Sequence, residues 1–348
     1  MTEKKVTMKD IASELNISIN AVSLALNNKT GVSDDMRIKV LRLANETGYL
    51  RNSSKFIRTF SRTNLCIMMQ KMYSTDMNFY GKVLYSVVEE SKKNGYDTIL
   101  NFFDDDEMIV PNCVEECRVA GVIVIGKIND RNIEDLKDHR IPIILVDHAS
   151  LFKSINCVLT DNKLGGFVMT KYLIEKGFRK IGFFGDLNYS LSIKERYFGF
   201  MEAVDTCGCY QEEGSLGAYI EAYSITHDIE RAVLANDNKI IKKLIEEAKH
   251  LPEAFVCSND KVAIALLMVL QALGYKVPED ISLVGFDNID MCEKVTPKLT
   301  TANVNKEKMG KRAVERILYL IDHQCDSYEN IILSVELIER ESVKTPQS

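Results

Sequence analysis

Between residues 7 and 50 the apolar positions recur at helical spacing in three short runs. Met8 to Leu15 predicts a first helix, with Thr7 as N-cap and Asp10 three residues later supplying a carboxylate to the first turn. Asn16-Ile17 makes a tight turn, and Ser18 caps a second helix over 19–27. Ile11, Ala12, Leu15, Ile17, Val22 and Leu26 have the spacing that packs two short helices across each other. Gly31-Val32-Ser33 is a turn that starts a third helix, Asp34 to Glu46, which ends in Thr47-Gly48. The outer face of the second helix carries Asn20, Ser23 and Asn27, small polar groups suited to base edges or phosphates. This is the pattern of a helix-turn-helix, whose second helix enters the DNA major groove. Two helices of an ordinary bundle have the same spacing. The DNA reading gains weight from the third helix, the polar segment behind it and the abrupt change to strand-rich sequence.

From about residue 63 short apolar strands alternate with amphipathic helices. The predicted strands are Leu65–Gln70, Tyr96–Phe103, Gly121–Gly126, Ile141–Asp147, Val158–Thr160, Ile181–Gly185, Ala254–Ser258, Ile281–Phe286 and Thr300–Val304. Helix patterns run over Gly81–Asn94, Leu164–Lys176, Glu195–Cys207, Asn238–Lys249, Lys261–Leu273 and Lys306–Asp322. Such βα alternation implies parallel sheets wrapped by helices, with ligands beyond the C-terminal strand ends. The fold class is therefore an all-α helix-turn-helix head plus an α/β body. Dehydrogenases and kinases share the alternation. Here, however, no Gly-x-Gly-x-x-Gly follows a strand, no phosphate-binding Gly-x-x-x-x-Gly-Lys-Ser/Thr occurs, and no nucleophile elbow appears. The expectation is a protein that is not an enzyme and needs no cofactor.

Charge sharpens the division. The chain is −6 overall, yet residues 1–62 hold eleven Lys/Arg against six Asp/Glu, a net +5, leaving 33 against 44 for the rest. A basic head on an acidic body is expected when only one end touches phosphate, and DNA affinity should then fall steeply with salt. No run approaches 18 uncharged apolar residues and the N-terminus has no apolar signal region, so a cytoplasmic protein without a membrane partner is expected. The nine cysteines form no Cys-x-x-Cys pair and the five histidines are scattered, so neither a metal site nor structural disulfides are expected.

Val6-Thr7-Met8-Lys9-Asp10-Ile11-Ala12, Ala21-Val22-Ser23, Leu26-Asn27, Gly31-Val32-Ser33 and Gly48-Tyr49 followed by Asn52 resemble the lactose/galactose-repressor (LacI/GalR) family, and the likeness runs through nearly the whole chain. It implies a helix-turn-helix domain over 1–50, a hinge over 51–62 and a two-lobed, periplasmic-binding-protein-like effector and dimerisation domain over 63–348. Lobe one is expected from about 63–160 and 292–322, lobe two from about 161–291 and 323–341. Polar groups follow several predicted strands: Asp147, Asp161, Asn259 and Asp287, with Arg196 in a helical segment. Carboxylates, an amide and a guanidinium converging on a cleft suit a polyol, whose hydroxyls both donate and accept. The resemblance implies effector contacts at Arg196, Asn259 and Asp287, and at a loop containing Asn78, Phe79 and Tyr80. Taken singly, each is equally a helix cap, a hinge hydrogen bond or, for the aromatics, core or dimer packing.

Two departures from the family bear on DNA. Its residue after Val22-Ser23 is usually Arg, able to grip guanine; here Leu24 either touches a thymine methyl or packs, leaving Ile19 and Asn20 to read bases. In the hinge, Lys55 and Arg58 replace the family's Ala and minor-groove Leu. The wedge then falls to Ile57, Phe56 or Phe60, or Arg58 enters a narrow groove without wedging. The expected DNA contacts are Thr7, Ser18, Ile19, Asn20, Ser23, Leu24, Asn27, Asn52, Lys55, Phe56, Ile57 and Arg58.

Together these features imply a homodimeric regulator, a repressor, that binds a near-palindromic double-stranded DNA operator and responds to a small-molecule effector, a sugar. A phosphoprotein or sugar-phosphate corepressor and a purine effector are the alternatives, and a sugar-binding protein without DNA role is a third. Tyr219 and Tyr223 are further candidates to reach the cleft. With no Trp in the chain, a tryptophan platform is excluded.

Overall fold

The computed structural model describes residues 6–26, 29–47, 49, 63–323 and 327–344. Of the expected DNA contacts, Asn27, Asn52, Lys55, Phe56, Ile57 and Arg58 lie outside the described residues. The head is three helices, α1 (Met8–Glu14), α2 (Ile19–Leu26) and α3 (Asp34–Glu46). Their starts are set by the polar residues that the sequence singles out. The Asp10 carboxylate accepts from the Thr7 backbone N–H at 2.7 Å and from its hydroxyl at 2.6 Å. Ser18 Oγ accepts from Ala21 N at 3.0 Å, and Ser33 Oγ from Met36 N at 3.4 Å. Asn16 turns the chain between α1 and α2 with φ +51°, a left-handed conformation that Asn tolerates well. Ile11, Ala12, Val22, Ala25, Leu26, Val40 and Ala44 form the head's own buried core.

The chain divides into two compact units, Met1–Leu159 with Lys306–Ile331, and Thr160–Asn305 with Ile332–Ser348. In the first, strands β1 (Asn64–Gln70), β2 (Asp97–Phe103), β3 (Gly121–Ile125), β4 (Ile143–Val146), β5 (Asn156–Thr160) and β10 (Asn330–Leu333) form one sheet, in the order β10-β5-β4-β3-β1-β2. β1 to β5 are parallel, and β3 and β4 are buried along their whole length, as strands covered by helices on both faces must be. Strand order reverses between β1 and β3.

The second unit repeats this logic. Its sheet is β11-β9-β8-β7-β6, built from β6 (Ile181–Phe184), β7 (Ala254–Cys257), β8 (Ser282–Asp287), β9 (Thr300–Asn303) and an antiparallel β11 (Glu336–Ile338). Ile225 bridges to Phe184 in parallel sense, which puts the chain around it on the far side of β6 from β7. The reversal therefore falls between β6 and β7, the position where open α/β sheets form their binding crevice.

Two expectations need correction here. The boundary at 291/292 is displaced, because β9 pairs with β8 from Val284↔Thr300 to Asp287↔Asn303 and with β11 on its other side. That pairing assigns 292–305 to the second unit, while the C-terminal chain contributes β10 to the first sheet. Nor do Tyr219 and Tyr223 approach the strand ends that carry the polar groups. Tyr219 is fully buried, donates to the Arg179 carbonyl at 2.9 Å and accepts from Ile181 N at 2.7 Å, at the opposite end of β6. Tyr223 is also buried and donates to Glu213 at 2.8 Å.

Candidate functional site

On the head, α2 presents Ile19 and Asn20 outward, Ile19 being 48% exposed. Ser23 is half-buried, as is Leu24, whose Cδ1 would lie 3.3 Å from a Cβ on Gly31 and so rests against that turn. The Thr7 and Ser18 hydroxyls are engaged at the starts of α1 and α2. Sequence reasoning missed Arg37 of α3. Its guanidinium donates to the carbonyls of Leu24 and Ala25, both at 3.4 Å, and of Lys29 at 2.9 Å. Leu24 and Ala25 lie in the last turn of α2, whose carbonyls lack intrahelical partners, and Lys29 lies just beyond it. Arg37 thus fixes the C-terminal end of α2 to α3. Arg37→Ala is expected to cost about 1.5–3 kcal/mol, the range for hydrogen bonds to a charged group, and to weaken operator binding about tenfold. Chemical denaturation and fluorescence anisotropy on a duplex check both.

In the first unit the expected residues Phe79, Tyr80 and Asp147 come together. Tyr80 starts helix α4 (Tyr80–Lys93), and its hydroxyl donates to Asp147 at 2.9 Å. Asp147 follows β4 in the left-handed region, φ +60°. Tyr73, which the sequence reading passed over, lies against Tyr80 with ring centroids 4.2 Å apart. Gly126, φ +83°, makes room for it, since a Cβ there would stand 2.6 Å from the Tyr73 ring. Phe79 is buried, edge-on to Tyr80 and beneath the Lys306 ammonium. Asn78 adjoins this group in the turn before α4, with no contact that would assign it a role.

The second unit centres on Arg196, 5% exposed, in helix α8 (Leu191–Thr206). Its Nε–H donates to Asn162 Oδ1 at 2.9 Å, Nη1 to the Ser258 carbonyl at 2.6 Å and Nη2 to Asp287 at 3.3 Å. The guanidinium lies 3.7 Å from the centroid of the Phe286 ring, a cation–π contact. α8 comes close enough because glycines face helix α7 (Asn162–Glu175), where a Cβ on Gly166 would meet the Arg196 carbonyl at 2.0 Å. Asp287, at the end of β8, has φ +111°. Of the remaining candidates, Asn259 caps helix α12 (Asp260–Ala272) through Val262 N, and Asp161 caps α7 through Leu164 N. Both stand beside the Arg196 group with one oxygen committed to a cap.

Behind Arg196 lie buried acids, of which only Asp260, beside Asn259 after a predicted strand, carried a strand-end signal in the sequence. Asp260, fully buried, accepts from Thr301 Oγ1 at 2.5 Å and Ile289 N at 2.9 Å. Burial, then the neighbouring Asp287 charge, holds its carboxyl well above the usual range. Glu230 accepts from Ser258 Oγ and from Asp186 N, each at 2.5 Å, and burial pushes it up to about 7. Glu195, bonded to Asn162, is also raised by burial. An acid whose folded pKa is raised binds its proton more tightly in the folded state. Its stabilisation is therefore complete below the ordinary value, near 4.5 for Glu230, and lost as pH rises towards 7. The melting temperature is expected to fall between pH 5 and about 7.5 and then level off. Scanning calorimetry at low ionic strength checks this, and Glu230→Gln should flatten the slope.

A helix-turn-helix head and two parallel-sheet units, with polar groups at the strand ends where order reverses, define a DNA-binding regulator with a ligand-binding body. Comparison with known proteins agrees. Residues 7–52 match the model for bacterial regulatory proteins of the lacI family, and residues 170–343 that for a periplasmic binding protein-like domain. An HTH-type transcriptional repressor PurR from Vibrio atlanticus is 29% identical across 97% of this chain and 99% of its own length. The ribose operon repressor of Haemophilus influenzae is 26% identical across 97% and 98%. Among solved structures, a LacI family transcriptional regulator from Enterococcus faecium with bound ribose superposes with TM-score 0.67 at 23% identity, covering 81% of this chain and all of its own. The lac repressor dimer bound to operator gives 0.65 at 20%, covering 97% and 99%. The chain belongs to the lacI family, whose members are DNA-binding transcriptional regulators and not enzymes. Among the described residues no helix is long and apolar enough to cross a membrane.

Proposed function

We propose that this chain is a cytoplasmic transcriptional repressor that binds a near-palindromic operator as a homodimer, and that a sugar bound by its ligand-binding body controls it. The observation that carries the effector reading is Arg196, a buried guanidinium oriented by three acceptors beside Asp287 at the C-terminal edge of the second sheet. Paired carboxylate and guanidinium groups suit hydroxyls that both donate and accept. The ribose-bound relative has the same fold. On the DNA side, Ile19, Asn20, Ser23 and Leu24 are the base-reading candidates, and the Lys and Arg of the head supply phosphate contacts. A dimer is supported by the edge strand β2, where Leu100 and Phe102 are 42% and 44% exposed, and by the exposed Tyr85 on α4.

A purine is the second reading, favoured by the half-buried Tyr73–Tyr80 pair, aromatic rings of the kind on which a base stacks. A thermal-shift panel of D-ribose, other free sugars, sugar phosphates and nucleobases separates the cases. The expected result is stabilisation by a free sugar together with a change in operator affinity. A response confined to nucleobases moves the effector to the purine class, and a response confined to sugar phosphates, or to none of the panel, overturns the sugar reading. Sedimentation of the free protein as a monomer at micromolar concentration would contradict the dimer.

A further inference from the structure

Glu230 is the least expected acid in the second unit. It lies in the first turn of helix α10 (Ile229–Leu234) and is 3% exposed. Among the described residues it pairs with no cation; both oxygens accept, one from Ser258 Oγ and one from Asp186 N, each at 2.5 Å. Asp186 follows β6 and Ser258 follows β7, the two strands between which strand order reverses. One side chain therefore adds a second link where the chain leaves two neighbouring strands and their connections diverge, beside the main-chain bond from Ser258 N to the Phe184 carbonyl at 2.9 Å. Ser258 in turn touches the effector group from both of its polar ends. Its carbonyl accepts from Arg196 Nη1 at 2.6 Å, and its Oγ accepts from Asn259 Nδ2 at 3.3 Å.

Resting on the reading of Arg196 as an effector contact, we propose that Glu230 is a positioning residue for that site: it ties the ends of β6 and β7 together and, through Ser258, fixes the direction of the Arg196 guanidinium. A carboxyl buried only to fill space would not be expected to accept with both oxygens from the residues that follow two neighbouring strands. The groups that face it are Ser258, the Asp186 backbone with its nearby carboxylate, and the Cys257 thiol, whose own pKa is raised by burial first and then by the Asp260 and Glu230 charges. None of them neutralises the acid, in keeping with its raised pKa. Glutamine at 230 has the same shape and keeps an oxygen for Asp186 N and an N–H for Ser258 Oγ. Alanine leaves both protein donors without this acceptor.

The test needs no effector. In full-length protein with arginine-selective isotope labelling, the Arg196 Nε–H resonance, identified by its loss in Arg196→Lys, reports how firmly the guanidinium is held. Its exchange with solvent is expected to accelerate at least about tenfold in Glu230→Ala and to stay within about threefold of wild type in Glu230→Gln. Binding to a duplex selected by the wild-type protein should be unchanged in both. Should Glu230→Ala fail to fold, Ser258→Ala removes the same link by a smaller change and should accelerate exchange in the same direction. Wild-type exchange rates in Glu230→Ala and in Ser258→Ala would overturn the proposal. D-Ribose is then added as a probe. Failure to shift the wild-type resonance removes D-ribose as effector and leaves the exchange comparison standing on its own.

Discussion

Arg196→Ala is expected to abolish the response to effector while leaving operator binding intact. The guanidinium is 5% exposed and satisfies Asn162 Oδ1, the Ser258 carbonyl and Asp287 together. Its removal leaves a carboxylate, an amide oxygen and a peptide carbonyl beside a cavity above Phe286. Removing one partner of a buried ion pair costs about 3–5 kcal/mol, chiefly through the charge left behind. Arg196→Lys keeps the charge but cannot reach three acceptors set in a plane, so it should recover only part of the loss. The head has its own core and should read DNA unchanged. Denaturant unfolding gives the stability change, and anisotropy with and without the active sugar gives the response. Unchanged stability and an intact response in Arg196→Ala would remove this residue from the centre of the site.

The second large effect has the opposite sign from the usual helix rule. Ala replacing Gly inside a helix normally gains up to about 1 kcal/mol. Gly199→Ala and Gly166→Ala should instead destabilise by about 3 kcal/mol or more, because the added methyl meets backbone of the facing helix. A Cβ at 199 would lie 1.9 Å from the Lys163 carbonyl and one at 166 would lie 2.0 Å from the Arg196 carbonyl. Two backbones cannot give way as the end of a side chain can, so α7 and α8 must move apart and take Asn162 and Arg196 with them. Effector affinity should fall with stability. Gly217→Ala, in helix α9 (Leu216–Tyr223), is the control, since nothing lies within 4 Å of its Cβ position. It should be neutral or slightly stabilising. Equal melting temperatures for all three variants would contradict this account of the α7–α8 crossing.

Much of the body was legible because buried parallel strands read as short apolar runs. All nine predicted strands correspond to observed ones within a few residues, whereas β10, the bounds of β11 and the short helices Asn112–Glu115, Asp130–Asp138, α9 and α10 were not resolved from their surroundings. β10, buried only in part, has no such run to announce it. Arg196 and Asp287 were legible from their motif and strand-end positions, but their partners were not. Asn162 is the neighbour of a predicted strand-end acid, and nothing local distinguishes its amide as the acceptor of Arg196 Nε–H. Glu230 and Asp260 acquire their environments from β6, β7 and β9, elements up to 44 residues away in sequence; Asp260 stood at a predicted strand end, but its burial, and everything about Glu230, emerges only when the sheet is assembled. Arg37 was invisible for the same reason: its acceptors are main-chain carbonyls, which carry no sequence signal.

The central claim is that the head reads a specific duplex. Selection from a pool of randomised duplexes by the full-length protein, followed by sequencing and repeated with Leu24→Arg, tests it most directly. The account predicts enrichment of a near-palindromic motif by the wild type, with a different half-site enriched by Leu24→Arg at the base step facing that position. The half-site would be the same for both proteins if Leu24 only packs against Gly31. Failure of the wild-type protein to enrich any motif, at a salt concentration where its basic head still holds DNA, would contradict the claim.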